Sequence, residues 1–382
     1  MARWRAGAAG LLLLLFALII SWLGIPPPRS SESRLTEHDP SAPIAVYFSS
    51  PGRQPGSPHR IDEAFVRFVD GASRTLDVAV YLIDDPRVVS AIIRARHRGT
   101  SVRLVTDSDT LDRPKSNTVR AAMTAFSDAE IPIVGDQRPG IMHHKFAVRD
   151  AAEVWTGSWN MTEADSSRMN NAAVWLRSAE LANKFTAEFE QMFTERRFAT
   201  AKRRAVQSAP ISIVGAPVEV YFQPGDRGLE SLIRRVEDAR QSVHFLAFSF
   251  THDGLGGVLR SRASAGVEVS GVIERSGSES IYSELGAFRT AGVNVRTDAN
   301  PSLMHHKTFI FDGRIVATGS MNYSLNVTRS NDENLVVIDD MRIARLFEQE
   351  FQAISDEALA GRLRGAAATA RWGELIDDRP VE

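Results

Sequence analysis

Met142-His-His-Lys145 and Met304-His-His-Lys307 are the same four residues met twice in one chain. The first string is followed by Asp150, Gly157, Ser158 and Asn160, and the second by Asp312, Gly319, Ser320 and Asn322 at identical offsets. Both read His-x-Lys-x4-Asp-x6-Gly-Ser-x-Asn. These residue types suit a phosphodiester, which resists attack because it is anionic and its alkoxide leaves poorly. Catalysis there needs positive donors on the non-bridging oxygens, an in-line nucleophile and an acid for the leaving oxygen. Lys145, Lys307, Asn160 and Asn322 can donate to the phosphate. One imidazole can attack phosphorus to give a phosphohistidine, while the other protonates the leaving oxygen and then activates water or an alcohol. Imidazole's ordinary pKa of about 6.5 suits that double role, worth about 10²–10⁴ in rate.

Composition narrows the setting for this chemistry. The chain has 382 residues, 43% apolar and 24% charged, enough for one large or two ordinary globular domains. The net charge of −2 gives no global basic field for nucleic acid, although a local groove remains open. There is no cysteine, which excludes thiolate catalysis, disulfides and cysteine-based zinc sites. Only Lys115, Lys145, Lys184, Lys202 and Lys307 are lysine among 45 basic residues, and two of them stand in the repeated string. A compact ammonium approaches a phosphate oxygen where a planar guanidinium does not fit.

Arg3 and Arg5 precede an uncharged run, Ala6–Ile25, that Pro26–Pro28 ends. Twenty helical residues span about 30 Å, the thickness of a bilayer core. Trp22 and Leu23 stand where a cleavage site needs small residues, so the run reads as an uncleaved anchor. The positive-inside rule then puts the rest of the chain outside the cytoplasm, periplasmic or extracellular; with cleavage the protein would be secreted.

Two similar halves must position the strings. Ala45-Val-Tyr-Phe48 opens one and Glu219-Val-Tyr-Phe222 the other. Each continues with a helical stretch (Ile61–Ser73; Leu229–Arg240), an apolar strand (Leu76–Ile83; Val243–Phe250), a helix ending at Gly99 or Gly266, and a further strand (Val102–Thr106; Val267–Ile273). Strands alternating with helices in this way indicate parallel strands with helices on the faces. Each string begins a strand, so alternation sets His143 and Lys145 on one side and His144 on the other, with His305, Lys307 and His306 likewise. Asp312-Gly313 signals a hairpin that returns Ser320 and Asn322 to the histidine. An amphipathic helix closes each half, with stripes Leu181, Phe185, Phe189, Met192 and Ile343, Leu346, Phe347, Phe351. The divisions are 1–28 anchor or signal, 29–44 linker, 45–195 first domain, 196–216 basic linker, 217–356 second domain and 357–382 tail. The linker's Arg196, Arg197, Lys202, Arg203 and Arg204 read as a solvated connector.

Both strings resemble the HKD motif of the phospholipase D superfamily, over about residues 45–354. The resemblance implies an α/β fold of two tandem phospholipase D-like domains, each a mixed sheet flanked by helices, sharing one active site about a pseudo-twofold axis. It implies His143 as nucleophile and His305 as acid and base. Lys145, Lys307, Asn160 and Asn322 would bind phosphate, supported by Ser158 and Ser320, and Asp150 and Asp312 would be structural. In the family an acidic residue hydrogen-bonds the catalytic histidine of the opposite half. Glu333 holds that position in one half, but Asn171 holds it in the other. Glu333 would raise the basicity of His143, whereas Asn171 would give His305 a neutral partner and ease its loss of a proton.

No metal or cofactor is expected, because alternation separates the adjacent histidines and no carboxylate cluster in the sequence completes a metal site. Trp155, Trp159 and Tyr323 can line a groove or pack in a core. The expected activity is hydrolysis of phospholipid head groups, since the anchor holds the site near a bilayer. Cleavage of DNA or RNA is the alternative; phosphatidyl transfer, as in cardiolipin synthases, and a non-catalytic scaffold rank below it. A monomer is expected, because both half-sites lie in one chain.

Overall fold

A computed structural model describes residues 41–49, 51, 60–114, 116–203 and 209–377, with side chains as far as Gly361. The Ala6–Ile25 run, Lys115 and Arg204 lie outside the described residues. No helix among those described is long and apolar enough to cross a membrane. All of them belong to one unit, Asp39–Glu382.

The first half forms a seven-stranded sheet. Its strands are β1 (Ile44–Ser49), β2 (Thr75–Val80), β3 (Ser101–Thr106), β4 (Ile133–Gly135), β5 (Lys145–Arg149), β6 (Glu153–Gly157) and β7 (Asn171–Arg177), in the order β1-β7-β6-β5-β2-β3-β4. The second half adds β8 (Ile211–Ile213), β9 (Ala216–Gln223), β10 (Ser242–Ala247), β11 (Glu268–Ile273), β12 (Asn294–Thr297), β13 (Lys307–Phe311), β14 (Ile315–Gly319) and β15 (Glu333–Asp339), in the order β12-β11-β10-β13-β14-β15-β9-β8.

The sheets are mixed, which corrects the parallel reading drawn from alternation. Among the described strands, the neighbouring pairs that run parallel are those of β2, β3 and β4 and of their counterparts β10, β11 and β12. Helical crossovers, such as Pro86–His97 between β2 and β3, join these parallel neighbours. Beyond them β5 and β6, and β13 and β14, are joined by tight hairpins, which force antiparallel pairing. Both hairpin turns carry positive φ at two successive residues: Asp150 (54°) and Ala151 (53°), then Asp312 (50°) and Gly313 (60°). Such turns match the right-handed twist of the strands they join.

Asp150 and Asp312 anchor these turns. Asp150 accepts from the backbone N–H groups of Ser73, Arg74 and Thr75, at 2.7–3.3 Å, and Asp312 from those of Arg240, Gln241 and Ser242, at 2.7–3.1 Å. Although partial burial opposes it, the backbone donors hold both carboxyls below their ordinary pKa. Each aspartate thus fastens the motif hairpin to the head of the central strand. At the far end of each hairpin, a Cβ on Gly157 or Gly319 would collide with the carbonyl oxygen of Ala172 or Asn334. Glycine alone lets the neighbouring strand come that close.

One core is shared by both halves. It joins Phe146, Val154 and Val174 of the first sheet to Ile310, Val316 and Val336 of the second, through Phe185, Phe189, Ile343 and Phe347 of the closing helices. Phe48 meets Phe347 edge-on, 5.2 Å between centroids, across the two halves. Burying each such side chain contributes roughly 1.5–3 kcal/mol. Trp155, Trp159 and Tyr323 are at most 1% exposed and pack in the outer cores, so they are core residues and line no groove. The second closing helix, Met341–Asp377, continues beyond residue 356 into the segment set apart in the sequence as a tail.

Candidate active site

Lys145 pairs with Val80 at the end of β2, and Lys307 pairs with Ala247 at the end of β10. Each string therefore sits where a central strand finishes, and the residue after that strand faces it. Tyr81 packs edge-on against His143 at 5.2 Å, and Phe248 against His305 at 4.6 Å. The ammonium of Lys145 lies over the Tyr81 ring and that of Lys307 over the Phe248 ring, 5.4 and 4.6 Å from the centroids. Each lysine also donates to the carbonyl of the histidine two residues before it, at 3.0 Å. Neither aromatic stands out in the sequence, although superposing the two halves puts them at matching positions.

The strings meet across the halves through reciprocal bridges. Met142 bridges Asp332, and Met304 bridges Asn170. His143 N–H donates to the Asp332 carbonyl at 2.9 Å, and His305 N–H to the Asn170 carbonyl at 2.8 Å. One contact repeated with the halves exchanged is what an approximate twofold relation produces.

Both imidazoles are 6% exposed. Burial first, then the charges of Lys145 and Lys307, holds His143 well below the ordinary pKa of 6.5; burial, Lys307, Lys145 and His143 do the same to His305. Both rings are thus neutral in the free site. Burial pushes Lys145 down to about 7, against the pull of Glu333 and Asp165, and lowers Lys307 well below its ordinary value, with Lys145 adding to the effect. A cavity that resists its own positive charges will take up an anion that restores them.

The residues facing each Nδ1 differ. Glu333 Oε2 lies 3.2 Å from His143 Nδ1, is fully buried, and has its pKa raised to about 7 chiefly by that burial. It also accepts from the Asn322 N–H at 3.0 Å and from Asn331 Nδ2 at 3.1 Å. His305 Nδ1 instead lies 3.0 Å from Asn171 Oδ1, which also accepts from the Ser158 hydroxyl at 3.0 Å. Asn171 is not its sole partner, however. Asp165 Oδ1 lies 3.6 Å from the same nitrogen, at the start of the short helix Glu163–Ser167. The expectation of a purely neutral partner for His305 is therefore corrected. Asp165 escaped notice because it lies outside the repeated pattern and its counterpart in the second half is Val327.

With each Nδ1 turned toward a side chain of the opposite half, within 3.2 Å of Glu333 for His143 and hydrogen-bonded to Asn171 for His305, Nε2 is the ring nitrogen left to face a substrate. Asn160 is 5% exposed and its Oδ1 has no partner, while its Nδ2 donates to Asp165 at 3.3 Å; Asn322 Oδ1 is also unpartnered. Ser320 Oγ accepts from the Asn334 N–H at 3.0 Å and, like Ser158, knits the hairpin to the next strand.

The second histidine of each string points elsewhere. His144 Nε2 lies 3.0 Å from Glu188, and His306 Nε2 lies 3.5 Å from Glu350, each glutamate on a closing helix. Asp332 completes a group with His144 and Glu188 whose ligand atoms fall within 4.8 Å of one another. Folding thus assembles carboxylates that the sequence keeps far apart. Lys202 Nζ already bonds Glu188 and, at 2.7 Å, Asp332, so an ammonium neutralises them and leaves no donor set for a metal. Lys202 is consequently buried, unlike the solvated connector expected of its stretch, whereas Arg196 and Arg203 are exposed.

Residues 65–193 and 232–355 both match the family model described as cardiolipin synthase, PLD-like domain. Human mitochondrial cardiolipin hydrolase (Homo sapiens) is 34% identical over 133 residues, covering 35% of this chain and 53% of that protein. A phospholipase D from Rickettsia prowazekii (strain Madrid E) is 26% identical over 134 residues, 35% of this chain and 65% of its own length. The chain spans about half the length of the first of these relatives. Among solved structures, the phosphatidylserine synthase of Haemophilus influenzae Rd KW20 aligns over 87% of this chain and 94% of its own, with a TM-score of 0.62 and 15% identity, a likeness of fold.

Proposed function

We propose that this chain, which belongs to the phospholipase D-like family, is a phosphodiesterase that hydrolyses phospholipid head groups through a phosphohistidine on His143. The observation that carries the mechanism is the convergence of His143, His305, Lys145 and Lys307 in one buried site with unlike partners on the two rings. The lipid reading is supported by the names of two relatives, a cardiolipin hydrolase and a phospholipase D. The Ala6–Ile25 run supports it as well.

Neutral His143 attacks phosphorus through Nε2, forming an N–P bond as the bond to the leaving oxygen breaks. Glu333 stabilises the positive charge that develops on the ring. His305, protonated once the phosphodiester anion offsets the lysine charges, gives its Nε2 proton to the leaving alkoxide. Lys145, Lys307, Asn160 and Asn322 hold the non-bridging oxygens. In the second step His305 takes a proton from water, whose oxygen attacks phosphorus and expels His143. On this reading the anchor holds a monomer beside a bilayer, with the site outside the cytoplasm.

The full chain in detergent micelles, with chelator present, should be offered phosphatidylcholine, phosphatidylglycerol, cardiolipin, single-stranded DNA and RNA in parallel. Release of head group or phosphatidic acid without strand cleavage supports the lipid reading. Cleavage of nucleic acid alone makes the chain a nuclease. Turnover of no diester sinks the enzymatic reading.

A further inference from the structure

We propose that Asp165 does for His305 what Glu333 does for His143: the first half keeps its buried carboxylate, but supplies it from the short helix after the motif instead of from the strand. Asp165 is then a positioning residue for the acid–base histidine.

The argument rests on equivalent atoms in the two halves. In the second half the Asn322 N–H donates to Glu333 Oε2 at 3.0 Å, and in the first the corresponding Asn160 N–H donates to Asp165 Oδ1 at 3.2 Å. An asparagine side chain braces each carboxylate: Asn331 Nδ2 on Glu333 Oε1 at 3.1 Å, and Asn171 Nδ2 on Asp165 Oδ1 at 3.3 Å. The same oxygen that takes the asparagine N–H then faces the histidine of the opposite half, at 3.2 Å in one case and 3.6 Å in the other. The sequence records the exchange. Five residues after Asn160 stands Asp165, where the second half has the buried Val327, and the strand position of Glu333 is Asn171 in the first half. Carboxylate and neutral residue have traded places, so each half still places one carboxylate by the opposite ring.

The trade leaves the two rings unequal. Asn171 Oδ1 stands nearer His305 Nδ1 than Asp165 does and takes its N–H, so the carboxylate acts over a longer distance. Thr162 also donates its hydroxyl to Asp165 Oδ2, at 2.6 Å, fixing the carboxylate from the helix end. The other titratable groups facing this region are Lys145, Lys307, His143 and His306, and burial raises the Asp165 pKa. His305 is thereby a weaker base than a ring in direct contact with a carboxylate, but a stronger one than a ring facing asparagine alone.

This inference rests on the acid–base role given to His305, and its test separates the two. The full chain is compared with Asp165→Asn and with the exchange variant Asp165→Val/Asn171→Glu, which copies the second half. The first readout, independent of turnover, is the NMR titration of the His305 ring. Asp165→Asn should shift its midpoint to lower pH, and the exchange variant should shift it back to or above that of the parent. The second readout is turnover. Asp165→Asn should lose about tenfold or more on a diester with an alkyl leaving group. It should lose little of the first-step burst on bis(p-nitrophenyl) phosphate, whose leaving group needs no acid, and the exchange variant should recover the loss. An unmoved His305 midpoint in Asp165→Asn overturns the inference, as does an exchange variant that folds but leaves the midpoint where Asp165→Asn put it. A shifted midpoint in a parent that turns over no diester overturns the proposed function and leaves the carboxylate exchange standing.

Discussion

His143 donates its backbone N–H to the carbonyl of Asp332, 2.9 Å away in the opposite half, and Asp332 immediately precedes the carboxylate that faces the same histidine. The backbone of the nucleophile and the side chain that orients it are thus held by adjacent residues of one segment. His305 is held in the same way by Asn170, next to Asn171. Each ring is positioned by the other half, so a half-chain lacks the parts to orient its own histidine.

The roles of the two histidines predict different failures. His143→Ala should abolish the covalent phosphoenzyme and lower turnover about 10³-fold or more. His305→Ala should let a phosphoenzyme form from a p-nitrophenyl diester and then persist, visible by acid-quench labelling. Persistent label in His143→Ala would refute the choice of nucleophile.

The site lysines should be worth more to activity than to folding. Burial lowers the pKa of Lys307 well below its ordinary value. The unfolded chain therefore binds a proton that the folded chain resists, and this costs stability at every pH below about 10.4. Lys307→Met should leave Tm at pH 7 unchanged or raised while turnover falls about 10²–10³-fold. A fall in Tm of several degrees would show that the ammonium holds the fold together.

The pH dependence follows from neutral His143 being the attacking form. Its pKa is held below 6.5 by burial and by both lysines, so the acid limb of kcat/KM should lie below pH 6.5. Burial raises Glu333 to about 7, so it is largely protonated on that limb; Glu333→Gln should leave the limb in place while the maximum, reached where the carboxylate is ionised, falls about tenfold or more. A limb at or above 6.5 in the parent would contradict the desolvated site.

Asp150 supports the fold without touching the histidines. Its folded pKa is depressed, so its contribution is present above the unfolded value of about 3.9 and is lost as pH falls through the folded value. Asp150→Ala should cost about 1–2 kcal/mol in denaturant unfolding at pH 7 and much less at pH 3. A cost that is equal at both pH values would mean the carboxylate's charge is irrelevant to its backbone bonds.

Much of this site was legible because its residues recur at fixed spacing, and alternation along a strand turns spacing into geometry. His143 and Lys145 on one side of a strand and the hairpin at Asp312-Gly313 follow from those two facts, whereas Glu333 against His143 came from the family resemblance. Asp165, Tyr81 and Phe248 did not, because each is brought to the site by tertiary packing from outside the pattern. Lys202 looked like one cation in a basic run, and only the approach of Glu188 and Asp332 explains its burial. The helix-strand rhythm alone read as parallel, because it does not reveal which connections cross over and which fold back; the mixed sheet came from the family resemblance.

Joining both half-sites in one polypeptide has a consequence for how such a site can change. In a pair of identical subunits, a substitution beside one histidine is copied beside the other, and both rings are retuned together. Here a codon for residue 171 and a codon for residue 333 vary independently, as do those for 165 and 327. The reciprocal bridges preserve the shared chamber while the chain adjusts attack and proton transfer one at a time.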